Sequence, residues 1–208
     1  MDFLPFFPLN ITVFEQEELR LHIFEPRYKQ MITECMAQSK SFGILTVMDG
    51  EVQKMGTEIR VEKLVNKHIG GEMDIVCRGI CRFYVEEFHE VYKDKLYPGG
   101  LVSFLQFVDD EDKELKLRLS DLLSELYNLT TVLPEQQPEY SGEISRWIHK
   151  CGLSLQQEYE CLRFHHVSER QQFLINHLKA LIESLAEVSR MKAIIQANGH
   201  FKKLTGLK

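Results

Sequence analysis

Cysteine and histidine are the residues here whose spacing could do chemistry. Cys161 and His165 stand four apart in a helical stretch, with His149, Cys151 and His166 near in sequence. An i, i+4 pair of this kind can supply half of a zinc site. No second pair has matching spacing, so a buried cysteine beside exposed histidines accounts for the pattern and no metal is expected. Cys77 and Cys81 share one face of a strand. At strand rise they stand about 13 Å apart, too far for a disulfide or a common ion, which makes them core residues. His22 and Glu25 could form a catalytic histidine–carboxylate pair, but no nucleophile is identifiable nearby, and a hydrogen-bonded surface histidine fits as well. Glu25 and Arg27 could bind a ligand. Equally, Glu25 can serve a helix N-terminus while Arg27 fixes the joint through an acid or a carbonyl.

These last residues belong to Leu21-His22-Ile23-Phe24-Glu25-Pro26-Arg27-Tyr28. The stretch reads as a short strand, Leu21 to Phe24, that breaks at Pro26 into a helix running to about residue 38. Proline suits a first helical turn because its missing N–H would be unpaired there. Tyr28 is expected in the core, its hydroxyl satisfied at the edge.

Around that step the first half of the chain reads as β-rich. Phe3 to Leu9 and Ile11 to Phe14 are short apolar strands, and Phe42 to Met48 is a strand closed by the turn pair Asp49-Gly50. Residues 57 to 65 alternate and then shift phase at Lys63-Leu64, which predicts a bulge or bend. Met73, Ile75, Cys77, Gly79, Cys81, Phe83 and Val85 hold a period of two, with Asp74, Arg78, Arg82 and Glu86 on the opposite face. Gly79 is the expected site of a sharp bend. After the turn Pro98-Gly99-Gly100, Leu101 to Phe107 is the last strand. Short strands, bends and one helix suggest a small, partly open barrel.

Asp109-Asp110-Glu111-Asp112 is the expected boundary between a unit of residues 1–110 and one of 111–208. The second half reads as helices. Leu115, Leu119, Leu122, Leu126 and Leu129 make an apolar stripe, and residues 131–141 form a linker. Ser141 to Cys151 is a short helix with Ile144, Trp147 and Ile148 on one face. Ser154/Gln157 and Ser168/Gln171 are capping-box pairs. The last helix runs from Glu169 to about Ala197, roughly 43 Å, with Asn198-Gly199 as its cap. Its end, with Met191, Ile194 and Ile195, is a candidate contact for a partner or a second copy; packing back onto the barrel is the alternative.

The chain has 208 residues, 44% hydrophobic and 27% charged, as in a soluble globular protein. No apolar run approaches the ~20 residues of a membrane helix, and the N-terminus carries no basic signal-like segment. Five cysteines without regular spacing fit reduced thiols and a cytoplasmic location. Residues 1–110 hold 18 acidic and 12 basic side chains, an acidic balance that opposes a phosphate backbone as the main ligand.

Several blocks together carry a resemblance: Phe7-Pro8-Leu9, Leu21 to Tyr28, Phe42-Gly43-Ile44, Gly56-Thr57, Gly79-Ile80-Cys81-Arg82-Phe83, Leu155 to Leu162 and Ser168-Glu169-Arg170. They resemble the N-terminal substrate-binding domain of Lon proteases, above all its stand-alone bacterial form, over nearly the whole chain. The resemblance implies an α+β fold: a PUA-like β pseudobarrel, then a helical bundle with one long terminal helix. It implies a non-enzymatic role in recognising unfolded or tagged polypeptides, together with a protease or chaperone, and no cofactor. Pro8, His22, Phe24, Glu25, Arg27 and Tyr28 become the candidate peptide-binding or motif residues. The sequence departs from the family where Glu15-Gln16 replaces a Pro-Gly turn and Arg20 replaces a proline. No G-x-x-x-x-G-K-[ST] phosphate loop occurs, and barrel plus bundle leave no room for a Ser–Lys protease domain. An RNA-binding PUA-like protein and a small-molecule-binding protein are the alternatives. A basic–aromatic cluster, which the first would need, is lacking.

Overall fold

The structure, a computed structural model, describes residues 2–106, 108–130 and 145–204. Two compact units divide the chain: residues 1–110 with 142–167, and residues 111–141 with 168–208. The polar joint at residue 110 is one crossing between them. Residues 142–167, read from the sequence as part of the helical half, cluster with the strands.

The first unit is a mixed six-stranded sheet: β1 (Asp2–Leu9), β2 (Glu18–Ile23), β3 (Phe42–Met48), β4 (Glu51–Lys67), β5 (Met73–His89) and β6 (Gly99–Leu105). Its order is β2-β5-β4-β3-β1-β6, and β6 pairs again with β5. Five strands thus close a ring, a pseudobarrel, and β2 lies outside it. Only β1–β3 is parallel. Helix α1 (Pro26–Gln38) follows β2 and buries Tyr28, Met31, Ile32 and Cys35 in a core with Phe7, Ile23, Phe42, Ile44, Ile59 and Ile75. A second cluster gathers Leu4, Phe6, Leu45, Phe83, Val85 and Val102. Phe6 and Phe7 enter different clusters because neighbours on a strand face opposite ways.

The hairpin turn falls where its residues predict. Asp49 and Gly50 both take positive φ, 52° and 81°, the geometry of a two-residue turn that matches strand twist. The phase shift in β4 is real: its register with β5 slips between Val61 and Lys63 and again between Leu64 and Asn66.

Two expectations need correction. Ile11 to Phe14 is not a strand. It crosses the sheet instead, with Val13 O accepting from Thr57 Oγ1 and Phe14 O lying where a Cβ on Gly79 would stand 2.1 Å away. Gly79 thus leaves room for this close approach of backbone, beside the slip of β5 against β4. Arg82 is not on a solvent face. It is fully buried, because the β4–β5 register slips between Thr57 and Ile59 and the burial alternation of β5 breaks with it at Cys81 and Arg82.

Arg82 joins four pieces of this unit. Its Nε lies 2.7 Å from Glu15 Oε1. Its Nη1 donates to the carbonyls of Leu162, at 2.6 Å, and Phe164, and Nη2 reaches that of Gln106 at 3.4 Å. Leu162 and Phe164 lie at the end of α4 (Leu155–Arg163), where free carbonyls need donors. Ser154 opens α4 with the expected capping box, and Met55 N donates to Tyr159 OH on it. The short α3 (Ser145–Ile148) brings in the buried Trp147 and Ile148; Ile144 lies outside the described residues. His149 sits between Glu158 Oε1 at 2.7 Å and Glu17 Oε1 at 3.2 Å. Burial opposes its charge, but bonds to Glu158 and Glu17 outweigh burial and raise its pKa to about 10.

In the second unit α2 (Lys113–Leu129) starts at Asp112, whose carboxylate accepts from the N–H groups of Glu114 and Leu115. It buries Leu119, Leu123 and Leu126; Leu123 takes the place expected of Leu122. Helix α5 (Val167–Leu204) has 38 residues, about 57 Å. It runs through Asn198-Gly199, which therefore does not cap it. Gln171 does not complete a box with Ser168. Its fully buried amide brackets the Asp112 backbone, accepting from N at 2.9 Å and donating to O at 2.7 Å.

Replacing Arg82 with Met should cost about 3–5 kcal/mol, the usual penalty for breaking a buried pair from one side; urea unfolding checks this. His149 has its pKa raised on folding from about 6.5. Its stabilisation is full below about pH 6.5 and is lost as pH rises toward the folded value. Stability of the wild type should therefore fall more steeply over that range than that of His149→Gln, as read from urea midpoints against pH.

Candidate functional site: the open strand and its corner

The Leu21–Tyr28 stretch folds as expected into strand, corner and helix. Pro26 occupies the first turn of α1, and Glu25 is the N-cap in extended conformation, without a side-chain cap bond. Its carboxylate instead holds Arg27, at 2.9 Å to Nε and 2.8 Å to Nη2. The Arg27 guanidinium lies 4.5 Å from the centre of the Tyr28 ring. Tyr28 is buried and stacks 3.9 Å from Phe7. Burial pushes its hydroxyl pKa up, with Arg27 opposing. Glu25, Arg27 and Tyr28 thus brace one another at the corner. Pro8 is half-buried within β1, opposite Leu45.

His22 and Phe24 face outward. Phe24 is 60% exposed, with its ring 6.1 Å from that of His22. His22 stands directly across from Asp74 in the β2–β5 register, and its Nδ1 is 2.7 Å from Asp74 Oδ1. His68, in the β4–β5 turn, places Nε2 2.7 Å from Asp74 Oδ2. Hydrogen bonds from His22 and then His68 hold the Asp74 carboxyl below its ordinary pKa. Glu25 is therefore not the partner of His22. Asp74 could have been paired with His22 only from strand register, and His68 only from the turn at Gly70-Gly71.

Strand β2 pairs with β5 alone among the described residues. Every second residue along its other side turns N–H and C=O outward. Glu18, Arg20 and His22 are exposed, while Leu19 and Leu21 are half-buried and Ile23 is buried. Such an edge is guarded against self-pairing by its charges yet can accept an added strand. The loop leading to it carries the departure at Glu15-Gln16. Gln16 takes φ 61°, a conformation that favours glycine, and Glu15 supplies the carboxylate for Arg82.

A cleft of about 640 Å³ opens elsewhere on this unit, lined in part by Phe3, Glu34, Lys40, Arg60, Tyr92 and Lys95. Two of its carboxylates, Glu34 and Glu58, are engaged internally. Glu34 accepts from Lys95 at 2.8 Å and Tyr97 OH at 2.7 Å, which lowers its pKa, Lys95 most of all. Glu58 accepts from Ser41 and Cys81. The thiols of Cys35, Cys77, Cys81 and Cys151 are pushed up by burial to about 11 or 12, so none is a ready thiolate. Cys161 is buried within α4, and His165 lies beyond that helix's end.

On α5, Leu174, Ile175, Leu178 and Ile182 are buried, whereas Val188, Met191, Ile194 and Ile195 are 48–67% exposed. The candidate contact residues therefore present an apolar face. No helix among the described residues is long and apolar enough to cross a membrane.

The family model of the ATP-dependent protease La (LON) substrate-binding domain matches residues 3–196. The chain belongs to the Lon substrate-binding domain family. A solved structure, the Lon N-terminal domain protein from Xanthomonas campestris, is 26% identical. The match covers 85% of this chain and 98% of that one, with a TM-score of 0.66. The N-terminal domain of Mycobacterium avium complex Lon protease, 14% identical, shares the fold at a TM-score of 0.58, over 86% of this chain and 98% of that one. No curated protein matches the sequence significantly. The matched model is the substrate-binding domain, and it takes up nearly all of these 208 residues. Neither an ATPase nor a protease domain is detected in them.

Proposed function

We propose that this chain is a non-enzymatic recognition module that binds unfolded or tagged polypeptide by strand addition to β2. The observation that carries the reading is the open side of β2, which runs into the Leu21–Tyr28 stretch and ends beside the exposed Phe24. An extended chain laid along β2 would gain main-chain hydrogen bonds whatever its sequence. Phe24 would add an apolar anchor and so select bulky side chains. Family membership supports a polypeptide ligand in general. A tie to a protease or chaperone, or to a second copy, is assigned to the exposed Met191, Ile194 and Ile195 on α5.

Fluorescence anisotropy with a labelled, reduced and alkylated protein as unfolded ligand tests the first part. Binding should be saturable, and Phe24→Glu should weaken it by about tenfold, the loss of one aromatic anchor. The same affinity in Phe24→Glu, or no binding by the wild type, would overturn the reading. Replacing Met191, Ile194 and Ile195 with Ser should leave that affinity unchanged. It should also abolish any concentration-dependent mass seen for the wild type in analytical sedimentation.

A further inference from the structure

The outward cluster around Asp74 is not needed for strand addition, and its composition fits another ligand. We infer that His22, His68 and Asp74 form a binding site for a divalent transition metal of the zinc type. The three side chains each offer one ligand atom, and these atoms all lie within 4.8 Å of one another. Two imidazole nitrogens and one carboxylate are a donor set that zinc accepts, leaving a fourth position for water or another ligand. His22 and Asp74 are held by the β2–β5 register. His68 is held by the turn, where its N–H donates to Glu72 O at 2.8 Å and its carbonyl accepts from Gly71 N at 2.9 Å.

Zinc bonds of about 2.0–2.2 Å would set the donors roughly 3.3 Å apart. Each histidine nitrogen is now 2.7 Å from its own Asp74 oxygen and all three donors lie within 4.8 Å of one another, so the side chains would open slightly from the carboxylate and draw together around an ion. They are free to do so: the side chains of His22, His68 and Asp74 are 55%, 41% and 37% exposed. The Asn66 amide nitrogen, 3.4 Å from His68 Nε2, would have to give way to the ion there, which a long, exposed contact allows.

The site stands apart from the polypeptide reading and is tested without polypeptide. The full chain, free of any polyhistidine tag and stripped with chelator, is titrated with Zn²⁺ by calorimetry and with Co²⁺ by visible absorption. One ion per chain should bind. His68→Ala and Asp74→Asn should each weaken binding by about tenfold or more, at least what loss of an outer-shell partner costs. His166→Ala, which removes a separate histidine–aspartate pair with Asp110, should leave it intact. Circular dichroism identifies variants that remain folded, as expected for exposed side chains. No uptake of zinc, or uptake that survives both His68→Ala and Asp74→Asn, would overturn the assignment.

Discussion

The first unit depends on one buried cation. A guanidinium is costly to remove from water unless every donor finds a partner. Arg82 is compensated by the Glu15 carboxylate from the β1–β2 loop, as an ion pair, and by carbonyls at the end of α4 and the exit of β6. The planar fork allows this where a lysine could not, since its donors point to several acceptors at once. It ties the end of α4 to the strands, with which that helix clusters. It also explains the loop before β2: Glu15 must face inward, and Gln16 then takes the left-handed turn.

Two kinds of strand follow from the topology. The five strands of the ring have both sides occupied over most of their length. β2 has one side occupied, by β5, and takes its position from that pairing and from the Pro26 corner. Rigidity at the corner and openness along the edge arise from the same eight residues. Glu25, Arg27 and Tyr28 engage their polar and aromatic groups with each other, which leaves His22 and Phe24 as exposed side chains of the stretch outside that brace.

Much of this was legible in the sequence, for physical reasons that can be named. The strands β3 and β5 announce themselves by turn chemistry and period-two alternation, and Pro26 marks a helix start because it can sit in few other places. What was hidden depends on register. Arg82 reads as a solvent-facing residue until a slip against β4 turns it inward, and the Phe14 carbonyl resting on Gly79 is invisible in the local pattern. His22 was visible as a candidate, but its partner Asp74 lies 52 residues away, and no local pattern connects them. Gln171 shows the opposite error: its spacing from Ser168 suggests a local cap, while its amide serves the backbone of Asp112. The length of α5 was underestimated because Asn198-Gly199 is a stop signal only when the next turn lacks helical support.

The ring also sets an order in time. β3, β4 and β5 are joined by short turns and can pair as they leave the ribosome, since nearby segments meet at small entropic cost. β1 is made first, yet its neighbour β6 begins only at Gly99. During synthesis β1 therefore has β3 alone as a strand partner, and its other side stays open until Gly99 and the residues after it follow. β1 is thus among the last strands of the ring to be paired on both sides, so a nascent chain stalled before residue 99 carries a sticky half-paired strand that looks much like a client for a chaperone.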